Sequence, residues 1–269
     1  MRLKVIHNAI DLSLKLDNFT NEAFELDLST PKIYIGFHKP LKNIYIELDS
    51  RIADDETVVE YWNGTTWVEL SIDDFTNGLT VSGLISWPEI AQVKTTHLTY
   101  GEMYWIRLST TETPASVFIN GINLVLSNDK DLSFIPNLTQ YLPNGTTSFI
   151  GFHQEARDLI VQTIRNSGKK ILRFEPSETL NSVSSRQVDQ FDLLEIEEFR
   201  NASKYMALHL IFDYLSKSDD DGYRLKADRY YTKYTETLNT NLISVDQNDN
   251  GETDEAENQT VQFIRIRRE

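Results

Sequence analysis

The chain has 269 residues, 41 acidic against 26 basic side chains, a formal net charge of −15 and no cysteine. With 40% hydrophobic and 25% charged residues it has the composition of a folded protein, not a disordered one. The absence of Cys excludes a disulfide scaffold, thiolate catalysis and every Cys-bearing zinc or iron–sulfur centre. The acid excess argues against a protein whose main task is gripping phosphate backbones.

The length suits one large or two modest domains. Charges follow closely on the short apolar run of Met1–Asn8, so no secretory signal is expected, and no apolar run approaches the roughly 18 residues of a membrane span. The expectation is a protein made in the cytoplasm with no membrane partner.

To about residue 127 the pattern alternates with period two. Lys32–Phe37 and Asn43–Leu48 are β-branched and aromatic runs bounded by Pro40 and Asp49-Ser50, the signature of strands. Val58–Trp62 and Thr65–Leu70 flank Asn63-Gly64, and Asn-Gly between two strand-like runs is a strong hairpin signal. A second such hairpin is predicted over Val117–Leu126, around Asn120-Gly121. Leu84–Pro88 and Met103–Leu108 read as strands between them. Short strands at close spacing predict an antiparallel β-sandwich over 1–127.

Ser127–Asp131 is polar and turn-rich and reads as a linker. After it the period changes. Phe152, Ala156, Leu159, Ile160 and Ile164 line one face of a helix that stops near Asn166–Gly168. A second helical stretch is predicted from about Val188 to Leu215, with a possible break near Arg200-Asn201, and a third from about Tyr223 to Leu238. The fold class is thus α+β in two modules: the sandwich, then a helical bundle over 131–245. Residues 246–269 form an acidic loop and an extended, strand-like tail.

Candidate chemistry is sparse. Trp62 and Trp67 could present ring faces to a glycan, against the alternative that they fill the sandwich core. The five histidines, His7, His38, His97, His153 and His209, show no metal-ligand spacing. The neighbouring acids Asp73-Asp74 and Glu197-Glu198 read as a solvated loop and a helix face, since adjacent carboxylates rarely converge on one substrate atom. The expectation is a protein that is not an enzyme.

One motif is specific. Asp246 to Glu257 fits the twelve-residue calcium loop, with oxygen donors at Asp246, Asn248, Asn250 and Asp254, Gly251 at the sharp turn, and Glu257 at the last position. Glu252 stands at the position that ligates through its backbone carbonyl. Thr253 departs from the pattern, where an aliphatic residue usually stands. Ca2+ is therefore the one cofactor expected, as a structural clip. Beyond it Phe263, Ile264, Arg265, Ile266, Arg267 and Arg268 alternate like an edge strand, a form suited to joining another chain's sheet.

Three separated pieces occur in order: the Tyr61-Trp62-Asn63-Gly64 hairpin, Gly78-Leu79-Thr80-Val81-Ser82-Gly83, and Tyr104-Trp105-Ile106-Arg107. This segment resembles one found in tail and baseplate proteins of tailed bacteriophages, and covers about residues 30–127. The second half is similar to the helical head–tail adaptor (connector) proteins of the same viruses, through the order of its elements and the helix near Phe199–Tyr205. The resemblance implies a structural virion protein at the head–tail interface. It would be a ring subunit, by analogy a dodecamer, whose partners are its own copies, the portal protein, and tail or collar proteins, with DNA met only in passing through a channel. A carbohydrate-binding or host-recognition module of a tail or baseplate is the alternative.

Overall fold

The computed structural model describes residues 3–7, 9–13, 24–26, 32–49, 56–90, 95–96, 102–110, 117–167, 170–174, 183–193, 196–218, 222–240, 242–244 and 258–260. The chain divides into two compact units, Met1–Leu124 and Val125–Glu269. The first is built from antiparallel sheets and the second mainly from helices, so the class is mixed α+β.

In the first unit the strands are β1 (Lys4–His7), β2 (Ile10–Asp11), β3 (Phe24–Leu26), β4 (Ile33–Phe37), β5 (Asn43–Leu48), β6 (Thr57–Trp62), β7 (Trp67–Glu69), β8 (Asp73–Asp74), β9 (Gly83–Ser86), β10 (Thr95–Thr96), β11 (Glu102–Thr110) and β12 (Val117–Asn123). One sheet runs β2-β1-β4-β11-β6-β7, with β10 also paired to β11; the other runs β3-β12-β5-β9-β8. Alternation places Val5, Ile35 and Ile106 in one cross-strand row and Ile33, Leu108 and Val59 in the next, all buried. Ile44 and Ile46 do the same in the second sheet, opposite Ile85 and Ile122. Cross-strand rows of this kind fix register, because a one-residue slip would turn each buried row outward.

Two glycines are required by close approach. A Cβ on Gly36 would lie 2.6 Å from the Trp105 ring, and one on Gly83 would lie 2.3 Å from the Phe75 carbonyl oxygen. The two Asn-Gly signals behave differently. Asn63-Gly64 does turn the chain, but in a four-residue loop closed by the Trp62–Trp67 pair, with Gly64 at φ 102°. Asn120-Gly121 does not turn it at all. β12 runs straight through, and its register against β5 shifts between Ile119 and Gly121, as at a β-bulge. β3 pairs with Val117–Ile119 and β5 continues the ladder through Asn123, and this pairing on either side of Asn120-Gly121 overrides the local turn preference.

In the second unit the helices are α1 (Ile150–Asn166), α2 (Ile196–Leu215) and α3 (Gly222–Thr240). α2 is continuous through Arg200-Asn201, the point at which the sequence left one helix or two open. Arg200 reaches Asp131 at 2.8 Å and Glu197 one turn back, and Lys204 donates to Asn201, so side-chain bonds support the helix there. Ser127–Asp131 is more than a polar linker. Ser127 is buried, and Asn128 caps the 3-10 turn Asp129–Leu132 with a reciprocal capping box.

The core of this unit has two parts. Ala156, Ile160 and Ile164 of α1 meet Phe199, Ala202 and Met206 of α2 and Tyr234 and Leu238 of α3. Leu132, Leu138 and Phe149 pack with Leu208, Ile211, Phe212 and Ala227. Two hairpins complete the unit: β13 (Lys170–Phe174) with β14 (Val183–Gln187), and β15 (Leu242–Ser244) with β16 (Asn258–Thr260). Among the described residues no helix is long and apolar enough to cross a membrane.

Candidate functional site

Three side-chain constellations stand out, one in the first unit and two in the second. The first lies around the β6–β7 hairpin. Trp62 and Trp67 are directly opposite each other and meet edge to face, with ring centroids 5.4 Å apart. Tyr34 sits 5.6 Å from Trp67, and the Arg107 guanidinium lies 4.6 Å over the Trp67 ring. Arg107 is held by Glu60, which it grips with two hydrogen bonds, Nη2 to Oε1 at 2.6 Å and Nε to Oε2; Lys32 adds a third contact at 2.6 Å. The hydrogen bonds from Arg107 dominate over desolvation and hold the Glu60 carboxyl below its ordinary value. Trp62, Trp67 and Tyr34 are each partly exposed over the buried trio Ile6, Met103 and Trp105. Both rings of the Trp62–Trp67 pair are thus half-buried at the edge of that cluster.

The hairpin loop is organised by one side chain. Asn63 Oδ1 accepts from the backbone N–H groups of Thr65 and Thr66, both at 2.9 Å. The loop after β8 is organised in the same manner: Asp74 accepts from Thr76 N–H at 2.7 Å and Gly78 N–H at 3.1 Å. Asn77, Gly78 and Leu79 then take φ of 51°, 65° and 59° in succession. Left-handed backbone costs a branched residue such as Leu energy, and it persists here because Leu79 is fully buried and donates its N–H to Thr76 Oγ1. The residues of the Asn77-Gly78-Leu79-Thr80 stretch therefore each have a local conformational task.

The second constellation is a buried polar relay that sequence spacing did not reveal. Ser127 Oγ lies 2.8 Å from His153 Nδ1 and 2.8 Å from Ser203 Oγ, and His153 Nε2 lies 3.3 Å from Asp129 Oδ1, within ion-pair distance but off hydrogen-bond alignment. The Asp129 carboxylate also accepts from the Phe149 N–H at the start of α1. Burial works to raise the Asp129 pKa, but the contacts with His153, Ser148 and the Phe149 N–H outweigh it and hold the group below its ordinary value. Ser, His and Asp are the members of a nucleophilic triad. Here His153 is 0% and Ser127 3% exposed, so the hydroxyl is closed to any substrate and the relay ties the 127–131 segment to α1 and α2.

The third constellation is a ladder of rings and ammonium groups on α2 and α3. Tyr205 stacks on Tyr230, Tyr230 on Phe212 at 5.6 Å and 7°, and Phe212 on Tyr223. Lys226 stands over Phe212 and Tyr223, Lys233 over Tyr205 and Tyr230, and Lys204 over Tyr205 and Phe134, at 5.0–5.6 Å. Arg224 pairs with Asp213 and Asp228. Among the described residues no carboxylate pairs with Lys204, Lys226, Arg229 or Lys233. A cavity of about 350 Å³ opens at the start of α3, lined by Leu215, Lys217, Gly222, Tyr223 and Lys226.

The calcium-loop residues Asp246, Asn248, Asn250, Glu252, Asp254 and Glu257 lie outside the described residues, as do Phe263–Arg268 of the expected docking strand. What is described is the pairing on either side of that loop, Ser244 opposite Asn258. Among the described residues no three acidic or histidine side chains gather as a metal site. In comparisons with known proteins, the chain matches no family and no curated protein.

Proposed function

We propose that this chain is a structural subunit of a tailed-phage particle, a head–tail adaptor that assembles as a ring. In this reading the helical unit docks on a portal protein, and the first unit, its two sheets packed as a sandwich, projects toward the collar or tail. The observation that carries the proposal is the adjacency of the phage-like pieces. The Tyr-Trp-Asn-Gly hairpin and the Tyr-Trp-Ile-Arg strand are neighbours in one sheet, joined by the Ile106–Tyr61 pairing, ahead of a three-helix unit. The terminal strand Phe263–Arg268 serves as the docking arm by adding to a neighbour's sheet. The acidic loop Asp246–Glu257, its ends brought together by β15 and β16, holds Ca2+ as a clip.

The test is the mass of the purified chain, alone and mixed with a portal ring. A ring-sized species, lost when residues 259–269 are deleted from a chain that still folds, is the expected result. A chain that stays single beside the portal overturns the proposal. For the loop, calorimetry should show heat on adding calcium, abolished in a D246A/E257A variant; no heat in the unaltered chain removes the clip.

One observation favours the alternative, a carbohydrate-binding or host-recognition module. The partly exposed Trp62, Trp67 and Tyr34 rings beside Arg107 and Glu60 form a surface with both stacking faces and polar groups, which sugars require. Tryptophan fluorescence titrated with host polysaccharide distinguishes the two, because a binding surface responds and W67A abolishes the response.

A further inference from the structure

We infer that Asn144, in the turn between the 3-10 turn Leu138–Tyr141 and α1, is a site of spontaneous modification. Its side-chain amide closes on the Gly145 nitrogen, and the residue becomes a mixture of aspartate and isoaspartate at a rate set by the fold. Water is the co-reactant. The site is independent of any assembly with a portal.

The step balances without an oxidant or a second enzyme. The Gly145 N–H gives its proton to solvent base, and the nitrogen attacks Asn144 Cγ. A Cγ–N bond forms, the Cγ–Nδ2 bond breaks, and Nδ2 leaves as ammonia after taking a proton from water. The product is a five-membered imide. Water then adds to one of its two carbonyl carbons. Opening at Cγ restores the ordinary main chain, with Asp at this position. Opening at the main-chain carbonyl carbon leaves the chain running through Cγ, as isoaspartate. The reacting atoms belong to adjacent residues, so orientation is what limits the step. Glycine admits it, having no Cβ to shield the nitrogen and a freely turning backbone.

The sequence holds five such pairs: Asn63-Gly64, Asn77-Gly78, Asn120-Gly121, Asn144-Gly145 and Asn250-Gly251. The first four lie in described residues, and three of them are held. Asn63 Oδ1 accepts from the Thr65 N–H, the Thr66 N–H and the Thr65 hydroxyl, at 2.9, 2.9 and 3.0 Å, which fixes the plane of its amide. Asn77 donates Nδ2 to Thr80 Oγ1 at 3.0 Å, and the nitrogen that would attack, that of Gly78, donates to Asp74 at 3.1 Å. Asn120 stands inside β12, where Gly121 is in register with Glu47 of β5, so the ladder holds the backbone on either side.

Asn144 has none of these restraints. Asn144, Gly145 and Thr146 are all exposed. The turn is closed from outside the pair: Thr146 donates its N–H to the Pro143 carbonyl at 3.0 Å and its hydroxyl to the same oxygen at 2.8 Å. Gly145 has φ 83° and Asn144 is not in the positive-φ region, the pattern of a type II turn. Among the described residues no hydrogen bond reaches Asn144 or Gly145. Ring closure needs the peptide unit between them to rotate until its nitrogen faces Cγ. Nothing lies within 4 Å of where a Gly145 Cβ would be, so that rotation meets no neighbour and breaks no bond of its own.

Each hydrogen bond that must break before closure slows it about fivefold. Three bonds hold Asn63, and two hold Asn77 and Gly78. Asn144 should therefore react about tenfold or more ahead of the other three.

The experiment is incubation of the full chain at mildly alkaline pH, in buffer and in urea, followed by tryptic peptide mapping with mass spectrometry. Peptide 131–157 contains Asn144 as its single Asn-Gly pair; peptide 52–94 contains Asn63 and Asn77, which fragmentation separates; peptide 108–130 contains Asn120. In buffer, 131–157 should exchange amide for acid first and split into aspartate and isoaspartate forms. In urea the four rates should draw together, because the fold no longer separates them. N144Q should remove the product from 131–157 and leave the other peptides as they were. Reaction at Asn63, Asn77 or Asn120 as fast as at Asn144 in buffer overturns the inference. So does a lead that persists undiminished in urea, which would assign the rate to sequence alone, and so does product in 131–157 of the N144Q chain.

Discussion

The two units differ in how they use charge and in how they use glycine. In the first, cations on the larger sheet are matched by carboxylates, as Glu60 matches Arg107 and Lys32, and Gly36 and Gly83 stand where backbone and ring approach too closely for a Cβ. In the second, the ladder lysines lie on aromatic rings, and Gly145, Gly151 and Gly222 have nothing within 4 Å of where a Cβ would be. The helical unit has a specified core and a face whose charges find no match within the described residues. Substitutions should therefore separate the units: close-packed positions should be intolerant in both, but glycine should matter to folding mainly in the first.

All four tryptophans, Trp62, Trp67, Trp87 and Trp105, lie in the first unit, so tryptophan emission reports its unfolding while the 222 nm dichroism reports mainly the helices. The largest effect is expected at Phe199, fully buried where α1, α2 and α3 meet. F199A should cost about 3–5 kcal/mol, seen as an earlier 222 nm transition on heating. If the emission transition moved by the same amount and the dichroism did not lead it, the division into units would be wrong. Next is G83A, where the added methyl would press on backbone at Phe75 that no rotamer change can relieve. A loss of about 2–3 kcal/mol is expected, this time in the emission transition.

Glu60 gives a pH-dependent version of the same contrast. Its folded pKa is held below the ordinary 4.5, so its contribution to stability is fully present above that value and is lost as the pH falls through the lowered one. The first unit should therefore weaken in acid below about pH 4. E60Q should cost about 1.5 kcal/mol at neutral pH and flatten that acid dependence, measured as urea midpoints from tryptophan emission at pH 7 and pH 3. An acid dependence equally steep in E60Q would show that another carboxylate carries it.

How much of this was legible beforehand follows from the range of the interactions. β4, β5, β6, β7, β9 and β11 were visible in the alternation because period-two burial is local, and α1 and α3 in the apolar spacing for the same reason. Asn120-Gly121 misled because its turn preference is local whereas the pairing that keeps β12 straight comes from two distant strands. The β13–β14 pairing went unread because neither Lys170–Phe174 nor Val183–Gln187 shows period-two apolar alternation. The relay of Ser127, His153 and Ser203 spans 26 and 76 residues of sequence, and local spacing around a single histidine gives no sign of partners that far away. The ladder was half visible: Tyr223 and Tyr230 fell within the third predicted helix, and the lysines beside them had no role until their ring contacts were seen.

The smallest prediction tests the glycine half of the comparison. Gly151 is the second residue of α1, in open space. Glycine in a helix costs about 0.5–1 kcal/mol relative to alanine, through the greater freedom of its unfolded chain. At Gly36 the same methyl would meet the Trp105 ring at 2.6 Å, and the steric loss would exceed any entropic gain. G151A should therefore raise the 222 nm transition, by less than the full interior value because the residue sits in the first turn, while G36A should lower the emission transition. Thermal melts of the two variants side by side check the pair. A destabilised G151A would mean that the start of α1 is covered by something the described residues do not include, and would point to a partner seated at that helix end.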